Sequence, residues 1–413
     1  MTLWSVSGQH RWADAFYVWR VKTDLAEVHR DRQLRSPVVW FMSLAAALGT
    51  ATIYPLQPAI ADVAGSLNAS LAAVGVALAC GPMGYMFGLG LLVPLVDRFP
   101  PARVLSAQVG VLAAALLLSA VVGSVWALGA AIGVIGACST VGAGLSSMVG
   151  RLASPHRRAT MLGIVTAGIS AGILVGRIAG GWLAEAIGWR GMLAVFAAAC
   201  AAVAVGLLLV VPGTRGGAER GYLATLRSIP GLFVRYPPLR LAATRGALWF
   251  FAFCAVWAGL AVALSEPPYS YSAGRIGVYA LAGLLGILAT RVSGMYTDRT
   301  GARRVILAGL VIAGAAAAIV GFALPSAAAT LACLALFDAG LFAAQVANQS
   351  TILAIDPAAP ARFNSAYMLV YFVGGSLGTA FGAAVVERFG WPATTTTTAV
   401  AITVAAAITL RAD

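Results

Sequence analysis

Asp338 is the only carboxylate near the centre of a long apolar segment in this sequence, within the run LFDAGLF. An unpaired charge at the centre of a membrane-spanning helix costs at least about 2.5–3.5 kcal/mol, so we expect this group to be neutralised by protonation or by pairing. Gln345 and Gln349 follow about two and three helical turns later on nearly the same face, which indicates a polar stripe toward an aqueous cavity. Asp338 therefore suits a proton carrier; the alternative is a structural hydrogen bond between helices.

Arg177 places a second charge inside an apolar segment. A guanidinium stays charged in proteins and offers a planar set of donors, so Arg177 is either the counter-charge of Asp338 or an anchor for an anionic substrate. The residue pattern leaves both roles open. Arg245 and Arg291 lie closer to the ends of their segments, and we expect their long side chains to extend to the lipid headgroups.

Aromatic residues recur at helical spacing in several segments, and rings with one polar edge suit amphiphilic organic molecules. Two of the candidates lie beside Pro55 and Pro58, where the helix should be distorted. The alternative explanation for each aromatic stripe is ordinary packing. The candidate substrate-binding residues are Tyr54, Gln57, Trp249, Phe253, Trp257, Gln345, Gln349, Asn364, Tyr367 and Tyr371.

Charged residues cluster in two short segments, PLVDRFPPAR at 94–103 and MYTDRTGARR at 295–304. Each contains an adjacent Asp-Arg pair, and at least one more arginine follows within five residues of that pair. At a helix end, such an acid can contact arginines and helix termini in one conformation and lose those contacts in another, which biases a two-state equilibrium by about 1–3 kcal/mol. We therefore predict a gating role; the alternative is that these arginines only fix the topology.

The elements that must position these side chains are apolar helices. The 413 residues are 60% hydrophobic and 10% charged, their mean hydropathy is +0.89, and twelve apolar segments are long enough to cross a bilayer. Each run is continuously apolar, which favours helices over the alternating strands of a barrel. The sequence thus predicts an all-α integral membrane protein with twelve transmembrane helices.

The net charge of +13 is distributed unevenly between the two sides of the predicted membrane. Most of the 27 lysines and arginines fall in the termini and in alternate loops, which is the positive-inside bias and predicts that both termini are cytoplasmic. This distribution argues against a nucleic-acid partner. The five cysteines have no paired spacing, so neither a disulfide framework nor a zinc site is indicated, and no cofactor is expected.

Two landmarks repeat at nearly one offset. Asp97 and Asp298 are 298 − 97 = 201 residues apart, and Trp189 and Trp391 are 391 − 189 = 202 residues apart. Internal repeats are a hallmark of transporter folds. We predict two six-helix bundles related by pseudo-two-fold symmetry, in the order cytoplasmic tail (1–36), N-terminal bundle (37–212), cytoplasmic linker (213–240) and C-terminal bundle (241–413).

These features resemble the major facilitator superfamily of secondary transporters over about residues 37–410. The second charged segment is similar to the loop motif G-x-x-x-D-R-x-G-x-[RK]-[RK] of that family, with matches at Gly294, Asp298, Arg299, Gly301, Arg303 and Arg304. The first copy is weaker and keeps Asp97, Arg98 and Arg103. In span five the sequence resembles the proton-antiporter signature G-x-x-x-G-P-x-x-G-G, with Arg177 in place of the proline and helix-packing glycines at Gly172, Gly176, Gly180 and Gly181.

The segment ANQSTILAIDPAAPARFNSAYMLVYFVGGSLG also resembles a bacterial efflux-permease subgroup. The resemblance implies a monomeric secondary transporter in the bacterial inner membrane that exports a small organic or drug-like compound in exchange for protons. Its expected partners are that substrate, protons and membrane lipid. Uptake or facilitated diffusion of a small nutrient is the alternative, and a membrane receptor or scaffold is a third class.

Enzymatic activity is not expected. Lys22 is the only lysine and has no glycine loop around it, so a phosphate-binding loop for ATP hydrolysis is absent from the sequence. The run GGSLG matches the nucleophile pattern of hydrolases at Ser376. However, Ser376 falls inside a predicted span while all three histidines fall in predicted cytoplasmic segments, so the sequence offers no catalytic triad.

Overall fold

The structure is a computed structural model that describes residues 36–211, 222–356 and 360–411. Within this part of the chain, 10 helices are long and apolar enough to cross a membrane. The helix Pro155–Val210 has 56 residues and turns at Gly188, so it makes two crossings. The first crossing is built from two shorter helices. The predicted all-α fold with twelve transmembrane spans is thereby confirmed.

Spans 1 to 6 form the N-terminal half of the described chain. Span 1 comprises Ser36–Ala51 and Ile60–Leu67, and span 2 comprises Leu71–Leu91 and Val93–Arg98. Span 3 is Pro101–Val121, and span 4 comprises Val125–Cys138 and Val141–Leu152. The segment Pro155–Val210 contains spans 5 and 6, which meet at Gly188. The predicted N-terminal tail lies outside the described residues apart from Ser36.

Spans 7 to 12 form the C-terminal half. Span 7 is Pro237–Ser265, span 8 comprises Ala273–Val278, the 3-10 turn Tyr279–Ala282 and Gly283–Thr300, span 9 is Ala302–Ala323, span 10 is Ala327–Leu353, span 11 is Pro360–Phe389 and span 12 is Trp391–Arg411. Part of the predicted linker is helical, from Tyr222 to Arg235. Ile229 and Leu232 of this helix are buried against spans 7, 10 and 11, so the helix packs on the C-terminal half.

Span 1 is interrupted between Ala51 and Ile60, where Pro55 and Pro58 lie. Proline lacks an amide hydrogen and its ring collides with the preceding turn, so it breaks a helix interior. The distortion expected from these two prolines is therefore present. Span 4 is also interrupted, at Ser139 and Thr140, and the hydroxyl groups of Thr52 and Ser139 lie 2.9 Å apart, so the two breaks meet.

The two Gly-Trp turns have matching geometry. Gly188 has φ 76° and Gly390 has φ 79°, a region that residues with a Cβ rarely adopt. Each following indole is buried and donates a hydrogen bond into its own half, Trp189 to Ser66 Oγ (2.9 Å) and Trp391 to the carbonyl of Val320 (2.8 Å). The repeat read from the sequence is therefore a repeat of backbone conformation as well.

Small residues let spans within each half approach closely. A Cβ at Gly172, Gly176 or Gly180 of span 5 would collide with the backbone of span 1. The glycines 202 residues later, Gly374, Gly378 and Gly382 of span 11, lie in the same way against the backbone of span 7. Gly181 instead lies against the carbonyl of Ala273 at the start of span 8, across the two halves. The span-five signature thus packs mainly inside the N-terminal half.

The two ends of the bundle differ. We call the end with residues 98–103, 151–158, 222–235 and 298–304 the linker face, and the end with the turns at 122–124, 188, 266–272, 324–326 and 390 the far face. Toward the far face the halves are in contact, for example through the hydrogen bond from Ser376 Oγ to the carbonyl of Ala79 (2.6 Å).

Toward the linker face, spans 2 and 11 border an apolar groove that includes Phe87 and Leu369. Arg98, Asp298 and Arg304, on the two charged loops, are exposed. Span 5 packs closely against Ala273–Val278, the start of span 8, but barely contacts Gly283–Thr300, so the described halves meet at the far face and separate toward the linker face.

Candidate functional site

A central cavity of about 170 Å³ lies between the two halves. Spans 1, 2 and 5 of one half and spans 7, 10 and 11 of the other supply its wall. The wall is mostly apolar and aromatic, and none of the described residues that line it carries a formal charge. Its lining residues are Thr50, Ile53, Tyr54, Gln57, Leu78, Pro82, Tyr85, Ile169, Ile173, Trp249, Phe250, Phe253, Cys254, Leu341, Phe342, Gln345, Tyr371, Phe372 and Thr379.

Aromatic rings form a continuous surface on the C-terminal side of this cavity. The rings of Phe250 and Tyr371 are stacked, with centroids 4.0 Å apart and planes 10° apart. Phe372 packs edge-on against Phe250 and also contacts Tyr85 of the opposite half at 4.6 Å. Such rings favour flat, apolar molecules through stacking and edge contacts, and the hydroxyl of a tyrosine adds a polar handle. The cavity therefore suits a planar organic molecule with a few hydrogen-bonding groups.

Arg177 lies beside this cavity and is 5% exposed. Its Nε donates to Gln57 Oε1 at 3.0 Å, and its guanidinium carbon lies 4.7 Å from the ring centroid of Tyr54 and 4.4 Å from that of Trp257. A cation over an aromatic face is attracted to it, most strongly when water is excluded. Because Tyr54 belongs to span 1 and Trp257 to span 7, Arg177 contacts both halves.

Asp338 is 1% exposed, and its Oδ1 accepts a hydrogen bond from Trp257 Nε1 at 3.2 Å. Arg177 and Asp338 border the same narrow pocket but make no direct ion pair. Trp257 connects them instead, because its ring stacks under the guanidinium while its N–H binds the carboxylate. Ile173, Phe253 and Phe342 line both this pocket and the main cavity, so they separate the charged groups from the cavity.

Six of the ten candidate substrate residues line the cavity: Tyr54, Gln57, Trp249, Phe253, Gln345 and Tyr371. The other four do not. Trp257 contacts the charged pair, and the fully buried Tyr367 donates its hydroxyl to Gln345 Oε1 at 2.6 Å, which fixes the orientation of that amide. Gln349 and Asn364 bind each other, Nε2 to Oδ1 at 2.9 Å.

Several cavity residues were not singled out from the sequence. Phe250 adjoins Trp249 but falls off the four-residue stripe, and Tyr85 in the glycine-rich span 2 has only Phe87 near it in sequence, which is not at helical spacing. Phe342 follows Asp338 by one helical turn, so its spacing from the acid could have identified it. Phe372 had no such signal.

Arg245 corrects one sequence-based expectation. Its side chain is not extended to the headgroups; Nε donates to Asn348 Oδ1 and Nη2 to Thr351 Oγ1 (3.3 Å) on span 10. Asn348 in turn donates from Nδ2 to the carbonyl of Ala242 (3.0 Å). These neighbours satisfy the guanidinium within the bundle, which removes the need to reach water. Arg291 is exposed, as expected for a side chain that reaches the surface.

The predicted gating residues lie at the linker face, at the ends of spans 2 and 8 and the starts of spans 3 and 9, with Gly301 between spans 8 and 9. Arg98, Arg103, Asp298, Arg299 and Arg304 are exposed, and Asp298 forms no ion pair with any described residue. Arg303 Nη2 donates to the carbonyl of Leu410 at 2.6 Å, which ties the loop to the end of span 12.

Backbone conformation distinguishes the two charged loops. Gly301 has φ 87°, whereas Pro100, which occupies the equivalent position 201 residues earlier, has φ −55°. Gly294 has open space around it, and Asp97 lies on the short helix Val93–Arg98. The weaker first copy of the motif therefore makes a different turn.

Comparison with known proteins agrees with this architecture. A sequence model described as Major Facilitator Superfamily matches residues 39–379. An uncharacterised transporter of Escherichia coli, YgaY, is 29% identical over 361 residues, which are 87% of this chain and 92% of that protein. A probable transporter of Streptomyces coelicolor is 30% identical over 351 residues, 85% of this chain and 81% of that protein.

Two solved structures share the fold at low sequence identity. A bacterial homologue of the human lysosomal transporter Spinster, in an inward-facing and unoccupied conformation, superposes with a TM-score of 0.75 at 17% identity, over 91% of this chain and 96% of that one. A variant of the nucleoside transporter NupG also gives 0.75, at 13% identity, over 90% of this chain and 99% of that one.

Proposed function

Because the chain belongs to the major facilitator superfamily of membrane transporters, we propose that it exports a small organic compound in exchange for protons. The observation that carries this proposal is the uncharged aromatic cavity, which lies directly beside a buried Asp338–Trp257–Arg177 cluster. We place the linker face and both termini in the cytoplasm of a bacterial cell and assign the protein as a monomer in the inner membrane, in keeping with the positive-inside bias.

The cavity chemistry supports a flat, mostly apolar substrate. The stacked pair Phe250 and Tyr371 offers a wide apolar contact, while Gln57 and Gln345 supply amide donors and acceptors. Ligand sites of this kind bind through buried apolar area and obtain specificity from a few polar groups. A sugar-like nutrient would need more polar partners than this wall provides, which favours a drug-like compound.

Proton coupling is assigned to Asp338. An ionised Asp338 attracts the Trp257 N–H and the Arg177 charge, and Arg177 belongs to the opposite half. Protonation removes that attraction, so the contact between span 5 and spans 7 and 10 weakens and the two halves can rearrange. The proton thereby changes the relative free energy of the two conformations, as a coupling ion must.

The exposed charged loops complete the cycle in this proposal. In the conformation closed at the linker face, Asp298 and its counterpart Asp97 would contact arginines and helix ends, and these contacts would stabilise that conformation. Asp298→Asn is then expected to lower the transport rate at normal expression, because one of the two states loses its stabilising contacts.

Transport by inside-out vesicles tests the proposal. With an acidic lumen, an exporter that exchanges protons takes up a planar aromatic dye such as ethidium as protons leave, whereas a proton-coupled importer releases a preloaded dye. Asp338→Asn is expected to abolish gradient-driven uptake, and Glu266→Gln, which removes an exposed carboxylate at the far face, serves as the control. Gradient-driven release would instead establish uptake of a nutrient, and unaltered uptake by Asp338→Asn would refute the role of this carboxylate.

A further inference from the structure

Two glutamates join the halves of the molecule at the far face. Glu185 of span 5 accepts hydrogen bonds at Oε2 from Ser272 Oγ (3.0 Å) and from the amide of Gly274 (3.1 Å), at the start of span 8. Glu387 of span 11 accepts from the amides of Leu71 (3.2 Å, Oε1) and Ala72 (2.7 Å, Oε2), at the start of span 2. Each carboxylate therefore binds the first turn of a helix in the opposite half.

The two contacts are copies of each other. Glu185 and Glu387 are 387 − 185 = 202 residues apart, and the amides that they bind, Ala72 and Gly274, are 274 − 72 = 202 residues apart. Even the local caps match, because Ser70 Oγ accepts from the amide of Ala73 and Ser272 Oγ from the amide of Arg275. The pseudo-two-fold axis thus relates one pair of bonds to the other, each crossing the interface in the opposite direction.

Neither carboxylate has a competing ion pair with a described residue. The nearest cation to the Glu185 site by sequence, Arg275, is stacked over the ring of Tyr271 at 3.5 Å. Both carboxylates are exposed, so water can replace their partners when the halves separate. Bonds between a carboxylate and backbone amides are charge-assisted, yet in this setting they can break without leaving a buried charge.

We propose that Glu185 and Glu387 are gating residues that hold the far face shut, and that release of both is a required step of the transport cycle. Opening of the far face must move span 8 away from span 5 and span 2 away from span 11. The hydrogen bonds of both Glu185 and Glu387 must therefore break before the far face can open. This assignment rests on the alternating access proposed above, but it requires neither a particular substrate nor proton coupling.

A measurement of the distance between the two halves tests whether Glu185 and Glu387 hold the far face closed. Spin labels at Gly123→Cys and Pro325→Cys report the separation of two exposed far-face turns, which are related by the same offset (325 − 123 = 202). The labels are read by double electron–electron resonance in full-length protein in lipid nanodiscs, in a background that lacks the five native cysteines. The readout needs no substrate, so its outcome is independent of the vesicle assay.

Glu185→Gln and Glu387→Gln are each expected to raise the ratio of far-open to far-closed molecules about fivefold, because the neutral amide loses the attraction of the negative charge to the helix N-terminus, which is worth about 1 kcal/mol. The double variant is expected to raise the ratio about twenty-fivefold, since the sites share no partner. Glu266→Gln is the matched control, because Glu266 is an exposed carboxylate at the same face and its side chain bonds to no described residue. Its distances should equal those of the parent.

An unchanged distance distribution in the folded double variant would overturn the proposal, as would an equal shift in Glu266→Gln. If a Gln variant does not elute as folded protein, Glu185→Asp or Glu387→Asp replaces it. Aspartate keeps the charge and shortens the reach by one methylene, so it should also favour the open state; an unchanged ratio there would refute the gating role.

Discussion

Replacement of Trp257 by phenylalanine is the most direct test of the charged cluster. Trp257→Phe keeps an aromatic ring under Arg177 and removes the N–H that binds Asp338 at 3.2 Å. A hydrogen bond to a charged group is worth about 1.5–3 kcal/mol, and a buried acceptor that loses its donor keeps the desolvation cost. At 1.36 kcal/mol per factor of ten, we expect gradient-driven transport efficiency to fall about ten- to hundredfold.

A double-mutant cycle identifies the partner through which Trp257 acts. In the Asp338→Asn background there is no carboxylate charge left to bind, so adding Trp257→Phe should change the remaining dye flux less than about twofold. The flux is measured in proteoliposomes without a pH gradient, where Asp338→Asn still permits exchange of dye, with each rate normalised to folded protein. An equal loss in both backgrounds would show that Trp257 acts through packing or substrate contact and would refute the reasoning.

The remaining predictions concern packing and the cavity wall. Gly176→Leu and Gly378→Leu each force a side chain into a neighbouring backbone. We therefore expect the free energy of unfolding to fall by about 1–3 kcal/mol or more, which is measured as a lower melting temperature in detergent. Gly163→Leu is the control and should leave the melting temperature unchanged, because Gly163 has open space around it. Tyr367→Phe removes the hydroxyl that donates to Gln345 and orients its amide. We expect the affinity for ethidium, measured by quenching of tryptophan fluorescence, to fall about fivefold because about 1 kcal/mol of hydrogen-bond energy is lost. An unchanged Kd would contradict this role of Tyr367.

The spans themselves could be predicted because apolar length alone determines which segments enter the membrane. Pro55 and Pro58 also marked the break in span 1, since proline acts locally. The break in span 4 had no such marker. It is stabilised by distant partners, including Gln108, whose Nε2 donates to the carbonyl of Cys138 at 2.8 Å, and no local pattern reveals a contact of that kind.

Part of the candidate site could also be predicted, because some of its residues stand out from their local sequence alone. Asp338 and Arg177 stood out because charge inside an apolar run is costly wherever the chain folds. Trp257 was assigned to the substrate wall by its spacing, whereas its N–H binds Asp338 on span 10. Arg245 was assigned to the headgroups because it lies near the end of its apolar segment. Its acceptors, Asn348 and Thr351, are about a hundred residues away in sequence, and only the packing of the helices brings them to Arg245.

The cluster of Arg177, Trp257 and Asp338 also limits how this protein can be recombined. Its cation comes from one half of the chain, while the indole and the acid come from the other. A chimera that joins residues 36–211 to the second half of a relative would keep the glycine packing within each bundle. It would nevertheless lack the complete cluster, and with it the proton coupling proposed above, unless the donor brought its own tryptophan and carboxylate to the same depth.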